Sequence, residues 1–145
     1  MKRLFIKESQ WAAFVDQLMA SHSVVGPVAK GSRFSFEELK LSTDLRLDYD
    51  TTILPPKKVF FPPKQDLVKF KKGQYESCLN PHEVILLGVH PYDIKAITMT
   101  DTLFDDKHAD CNYLANRKEA VIIGSNVQSH YKRAFFGSVA QEVPL

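Results

Sequence analysis

Thiols are scarce in this 145-residue chain, where Cys78 and Cys111 are the two cysteines. So few argue against a disulfide framework and fit a reducing compartment, so the expected location is the cytoplasm. Long apolar runs are lacking as well. The stretch Val84 to Val89 falls far short of the roughly 20 residues that cross a bilayer, so no membrane insertion is expected. The basic start Met1-Lys2-Arg3 is followed by Lys7, Glu8 and Gln10, which argues against a secretory signal. A marked excess of either charge is also missing. A net charge of +2 creates no global field that demands nucleic acid or acidic lipid. No Gly-rich phosphate loop, GxSxG or HExxH occurs, which removes several common enzyme classes.

What is present suits a globular protein. An apolar share of 44% and a charged share of 25% are ordinary values, and 145 residues fit one domain, 1–145, with a real core. Leu4 to Ile6 reads as a short strand. Ser9 then caps a helix carrying Trp11, Phe14, Val15 and Leu18. Ser23 to Val28 and Arg33 to Phe36 flank Gly31-Ser32, a hairpin pattern. From Leu41 to Tyr49 a further alternation sets Leu45, Leu47 and Tyr49 on one side. Pro55-Pro56 and Pro62-Pro63 bracket a stretch read as extended loop or edge strand, because proline donates nothing to a ladder.

In the second half, Val84 to Val89 and Val121 to Gly124 read as buried strands. Between them Pro91 and a capping Asp93 open a helix with Ile94, Ile97, Leu103 and Phe104, and a second helix is expected from Asp105 to about Arg117. The result is a mixed α/β fold whose C-terminal half is a βαβ unit with two parallel strands.

Parallel strands bring the loops that follow them to one sheet edge, where ligands of open α/β sheets favour the crevice. Those loops are His90 to Asp93 and Ser125 to Val127, continuing through Phe136. His90 with Asp93 has the composition of an acid–base pair, and His90 with His130 that of two metal ligands. Yet Asp93 is equally a helix cap, and no third ligand stands at a metal spacing. Cys78 with His82, and Cys111 with His108 and Asp110, lack a CxxC partner and read as incidental.

Lys57, Lys58, Lys64, Lys69, Lys71 and Lys72 face a single acid, Asp66, with Phe60, Phe61 and Phe70 interleaved. Such a stripe suits nucleic acid, but the balanced remainder favours lysines in solvent and phenylalanines turned into the core. If the stripe binds anything, an acidic protein fits best, through Lys57, Lys58 and Lys64.

Four segments carry a family resemblance. Leu54 to Pro63, LPPKKVFFPP, resembles the proline-rich signature of the anaerobic sulfite reductase A subunit and of sulfhydrogenase-type hydrogenase β subunits. Gly88 to Ala96 is similar to that family's G-V-R-P-C-D-L-x-A, Val121 to Val127 to its I-V-G-x-N-C, and Ala134 to Val139 to its C-F-C-x-S-M. The matches keep their order from about Pro27 onward.

In such relatives these loops supply thiolates to a 4Fe-4S cluster, and ferredoxin-like motifs follow. Here Tyr92, Val127, Ala134 and Phe136 stand where the pattern has cysteine. The resemblance therefore implies the N-terminal part of an electron-transfer subunit without a cofactor of its own, docking with protein subunits of a redox complex and not with nucleic acid. It also implies a crevice filled by Tyr92, Val127 and Phe136. Two alternatives stay open. One is a small-ligand or enzyme domain using His90, Tyr92, Asp93 and Asn126; the other is an adaptor binding an acidic protein.

Overall fold

The computed structural model describes residues 6–128. A four-stranded mixed sheet lies at its centre. Its strands are β1 (Ser23–Lys30), β2 (Arg33–Glu38), β5 (Val84–Val89) and β6 (Ala120–Gly124), in the order β2-β1-β5-β6. β1 and β2 pair antiparallel around Gly31, whose φ of 60° suits the tight turn. β1 runs parallel to β5, and β5 parallel to β6. The β1–β5 ladder ends at Val25, before Pro27, which has no N–H to give it.

Between β5 and β6 lie α2 (Pro91–Phe104) and α3 (Cys111–Lys118), so the strand–helix–strand expectation is met. A separate two-stranded sheet pairs β3 (Val68–Lys71), inside the lysine stripe, with β4 (Gln74–Ser77), just after it.

Alternation along the strands divides the core between two faces. Val24, Ile85 and Leu87 pack with Val15, Trp11 and Phe14 of α1 (Trp11–Ser21). Leu86, Val89 and Phe36 pack with Tyr49, Phe60, Ile97 and Tyr113 on the other side. β5, shared by both layers, is buried along its whole length.

Several local expectations change. The helix that Ser9 was to cap is entered through a single 3-10 turn, Glu8–Gln10, and no side chain caps it. The Leu41–Tyr49 segment forms no strand, because a 3-10 turn at Ser42–Asp44 breaks it and leaves one isolated bridge, Leu45 with Val28. The proline-rich stretch is not extended throughout. Pro56 opens a 3-10 turn, Pro56–Val59, and Phe60 sinks into the core. β6 is not a fully buried strand; it is the sheet edge among the described residues, and Val121 is 57% exposed. The second helix starts later than Asp105, at Cys111, because the Asp110 carboxylate caps it by accepting from the N–H groups of Asn112 and Tyr113. Of the proposed Leu4–Ile6 strand, only Ile6 lies within the described residues, and it is not in a strand.

Candidate functional site at the ends of the parallel strands

The crevice is shaped first by Gly88. Opposite β6, Leu87 pairs with Ile123 and Val89 with Gly124, so Gly88 is an extra, bulged residue. Its φ of 82° lies in the left-handed region, and a Cβ there would come within 2.6 Å of the Leu47 side chain. By strict alternation Val89 would share a face with Leu87; the bulge turns it to the opposite layer. The same step aims His90 inward, where its exposure is 0%.

His90 is held by two tyrosines. The Tyr49 ring stacks on it with centroids 3.9 Å apart and 5° between planes. Tyr49 Oη accepts from the His90 backbone N–H at 3.2 Å and donates to the Gly88 carbonyl at 2.9 Å. On the other side, Tyr92 Oη lies 2.5 Å from His90 Nδ1 and donates to the Asp50 carbonyl at 3.0 Å. A phenol has one proton to give. When that proton goes to Asp50, the Tyr92–His90 contact calls for a proton on His90 Nδ1. Burial pushes both phenols well above their ordinary range, so both stay protonated.

Pro91 begins α2 at its first turn, as expected. Asp93 is not the cap. His90 occupies that position, and Asp93 sits within the first turn, with its N–H donating to the His90 carbonyl at 3.0 Å. Burial raises the Asp93 carboxyl to about 6, opposed by the positive charge of Lys57. Lys57 thus belongs electrically to this site.

The second loop closes beside the first, because the Ser125 N–H donates to the Val89 carbonyl at 2.9 Å. Asn126 is exposed and Val127 partly buried. The starts of the two loops thus meet at one sheet edge. His130, Ala134 and Phe136 lie outside the described residues.

Behind the crevice the proline-rich segment is pinned to α3. Asn116 Nδ2 donates to the Phe60 carbonyl at 3.2 Å, and Phe60 and Phe61 pack on Tyr113 at 5.9 and 4.8 Å. Tyr113 Oη donates to Asp101, which also pairs with Arg117. Cys78 is buried and Cys111 exposed. Among the described residues, no three His, Cys, Asp or Glu side chains group as metal ligands would.

A cavity of about 450 Å³ opens at the far end of the sheet, lined by Ser23, Val84, Gln65, Asp66, His82 and Asn116. Another, of about 460 Å³, lies beside Asp50 and Arg33. Sequence reasoning missed Tyr49 and Asp50 as parts of the site. For Tyr49 a signal existed, since its alternation with Leu45 and Leu47 marked an inward face.

The fold and site together define a mixed α/β domain with a sealed histidine–tyrosine junction where two parallel strands end. No family profile matches the chain, and no solved structure does. It is, however, similar to the sulfhydrogenase 2 β subunit of Pyrococcus furiosus, 33% identical over 124 residues. That match takes in 86% of this chain but spans 37% of the length of the relative. Among the described residues, no helix is long and apolar enough to cross a membrane.

Proposed function

We propose that this chain is a docking domain of a sulfhydrogenase-type electron-transfer subunit, that its crevice carries no iron–sulfur cluster, and that it assembles with protein subunits of a redox complex. The similarity to the Pyrococcus β subunit supports the subunit class. One observation carries the rest. Against the G-V-R-P-C-D pattern, arginine and cysteine are replaced together, and the two replacements, His90 and Tyr92, bond to each other. Paired substitution of that kind suits a site rebuilt for packing.

Clusters are held by thiolates, usually four. The Tyr92 oxygen is already engaged by His90 and Asp50, and Val127 offers an alkyl group. Ala134 and Phe136 have no donor atom to add. These residues do not fit a cluster.

The test is chemical analysis of protein purified without oxygen. A colourless preparation with iron far below one atom per chain is expected. A brown protein with visible charge-transfer absorption and roughly four irons per chain would overturn the proposal.

A further inference from the structure

The β3–β4 hairpin has the construction of a sheet element meant to be covered. Its register sets Phe70 opposite Tyr75 and Val68 opposite Ser77 on one face, with Lys69 opposite Glu76 and Lys71 opposite Gln74 on the other. An amphipathic ribbon normally lays its apolar face on a core. Here all eight strand residues are exposed. Phe70 is 68% exposed and Tyr75 76%, with ring centroids 5.4 Å apart. Leu67 and Leu79 extend the exposed apolar surface at the base.

The hairpin is nonetheless well specified. Lys72 and Gly73 take φ values of 49° and 79°, the double positive turn that matches strand twist. The Cys78 N–H ties the base to the Leu67 carbonyl at 2.9 Å. Two-stranded ribbons are marginal alone in water, and clustered apolar surface on a soluble protein marks an interaction site.

Charge selects the occupant. Six lysines against Asp66 between positions 57 and 72 complement an acidic surface. Nucleic acid is the poorer fit, because Leu67, Val68 and Leu79 offer no stacking plane, and Asp66 and Glu76 interrupt a phosphate track. We infer that the β3–β4 hairpin docks this chain onto an acidic companion subunit, with Phe70 and Tyr75 as buried anchors and the lysines steering approach. The inference rests on the subunit assignment proposed above.

The experiment measures binding of the full chain to the purified companion subunits of its complex, comparing wild type, F70S/Y75S and K58E/K64E. Lys57 is left intact because it also acts on Asp93. Dissociation of F70S/Y75S should be at least about tenfold faster, since aromatic anchors act mainly on dissociation. K58E/K64E should associate several-fold more slowly at low salt, with the difference shrinking as salt rises.

If wild type and F70S/Y75S bind alike, the hairpin inference fails while the subunit assignment stands. If wild type does not bind at all, both fail. Parallel runs use a 20-mer of deoxythymidine, anionic phospholipid vesicles and sedimentation of the chain alone. Binding or self-association there that F70S/Y75S abolishes, without an effect on the companion subunits, overturns the inference in favour of that occupant.

Discussion

Two aromatic pairs with similar chemistry meet opposite fates in this molecule. Tyr49 and His90 stack 41 residues apart in sequence and are sealed from water. Phe70 and Tyr75 meet five residues apart across a turn and stay in solvent. The sealed pair closes the end of the sheet and satisfies backbone groups of the bulge, so disturbing it should lower stability. The open pair touches little of its own chain, so altering it should leave the fold unchanged. Burial, not aromaticity, decides what each pair does.

The largest effect is expected at the bulge that creates the sealed site. Gly88→Val combines a side chain at φ 82° with a close approach to Leu47, and should destabilise by roughly 2–5 kcal/mol in denaturant titration. A shift of a few tenths would mean the bulge relaxes and the inward aim of His90 is not fixed by it.

Asp93 sharpens the comparison through pH. Its carboxyl titrates near 6 in the folded chain and near 3.9 when unfolded, so between those values the folded state binds the proton more tightly. Stability from this group is therefore greatest below about pH 4, falls as pH rises through about 6, and stays reduced above. Asp93→Asn should erase a wild-type decline on the order of 2 kcal/mol across that window. Parallel unfolding curves of both proteins from pH 4 to 7.5 provide the check, and superimposable pH profiles would place Asp93 in water.

The smallest effect belongs to the hairpin. F70S/Y75S should change unfolding free energy by no more than about 0.5 kcal/mol, as for surface substitutions. A loss above about 2 kcal/mol would mean the rings pack on this chain, and the contrast between the two pairs would collapse.

Much of the frame was legible in residue order. The continuous apolar runs at 84–89 and 121–124, separated by a proline-opened helix, specified adjacent parallel strands because a crossover of that length allows little else. The hairpin at 23–38 followed from alternation around a glycine turn. Segments whose pattern was ambiguous fared worse. Val59-Phe60-Phe61 looked extended between proline pairs, but Asn116 and Tyr113, far along the chain, fold it into a turn and bury Phe60. The β3–β4 hairpin went unseen because its turn, Lys72-Gly73, lacks the usual asparagine or aspartate, and its lysines read as a solvated face. Phe70, expected in the core, is exposed.

At the site the division is similar. Sequence alone brought the loops that begin at His90 and Ser125 to one sheet edge, since the ends of neighbouring parallel strands must share it. In the proposed reading, Tyr92, Val127, Ala134 and Phe136 stand at the four cysteine positions of the related pattern. Only tertiary structure decided that Tyr49 and Asp50 reach across to close around His90, that Asp93 lies inside the first turn and not at the cap, and that Lys57 acts on it. Local patterns record which face of an element is apolar, because periodicity of 2 or 3.6 is written along the chain. They carry no record of which distant segment supplies the partner. A stack, a tyrosine hydroxyl bonded to a distant carbonyl and a desolvated carboxylate each arise from groups brought together by the packing of separate elements.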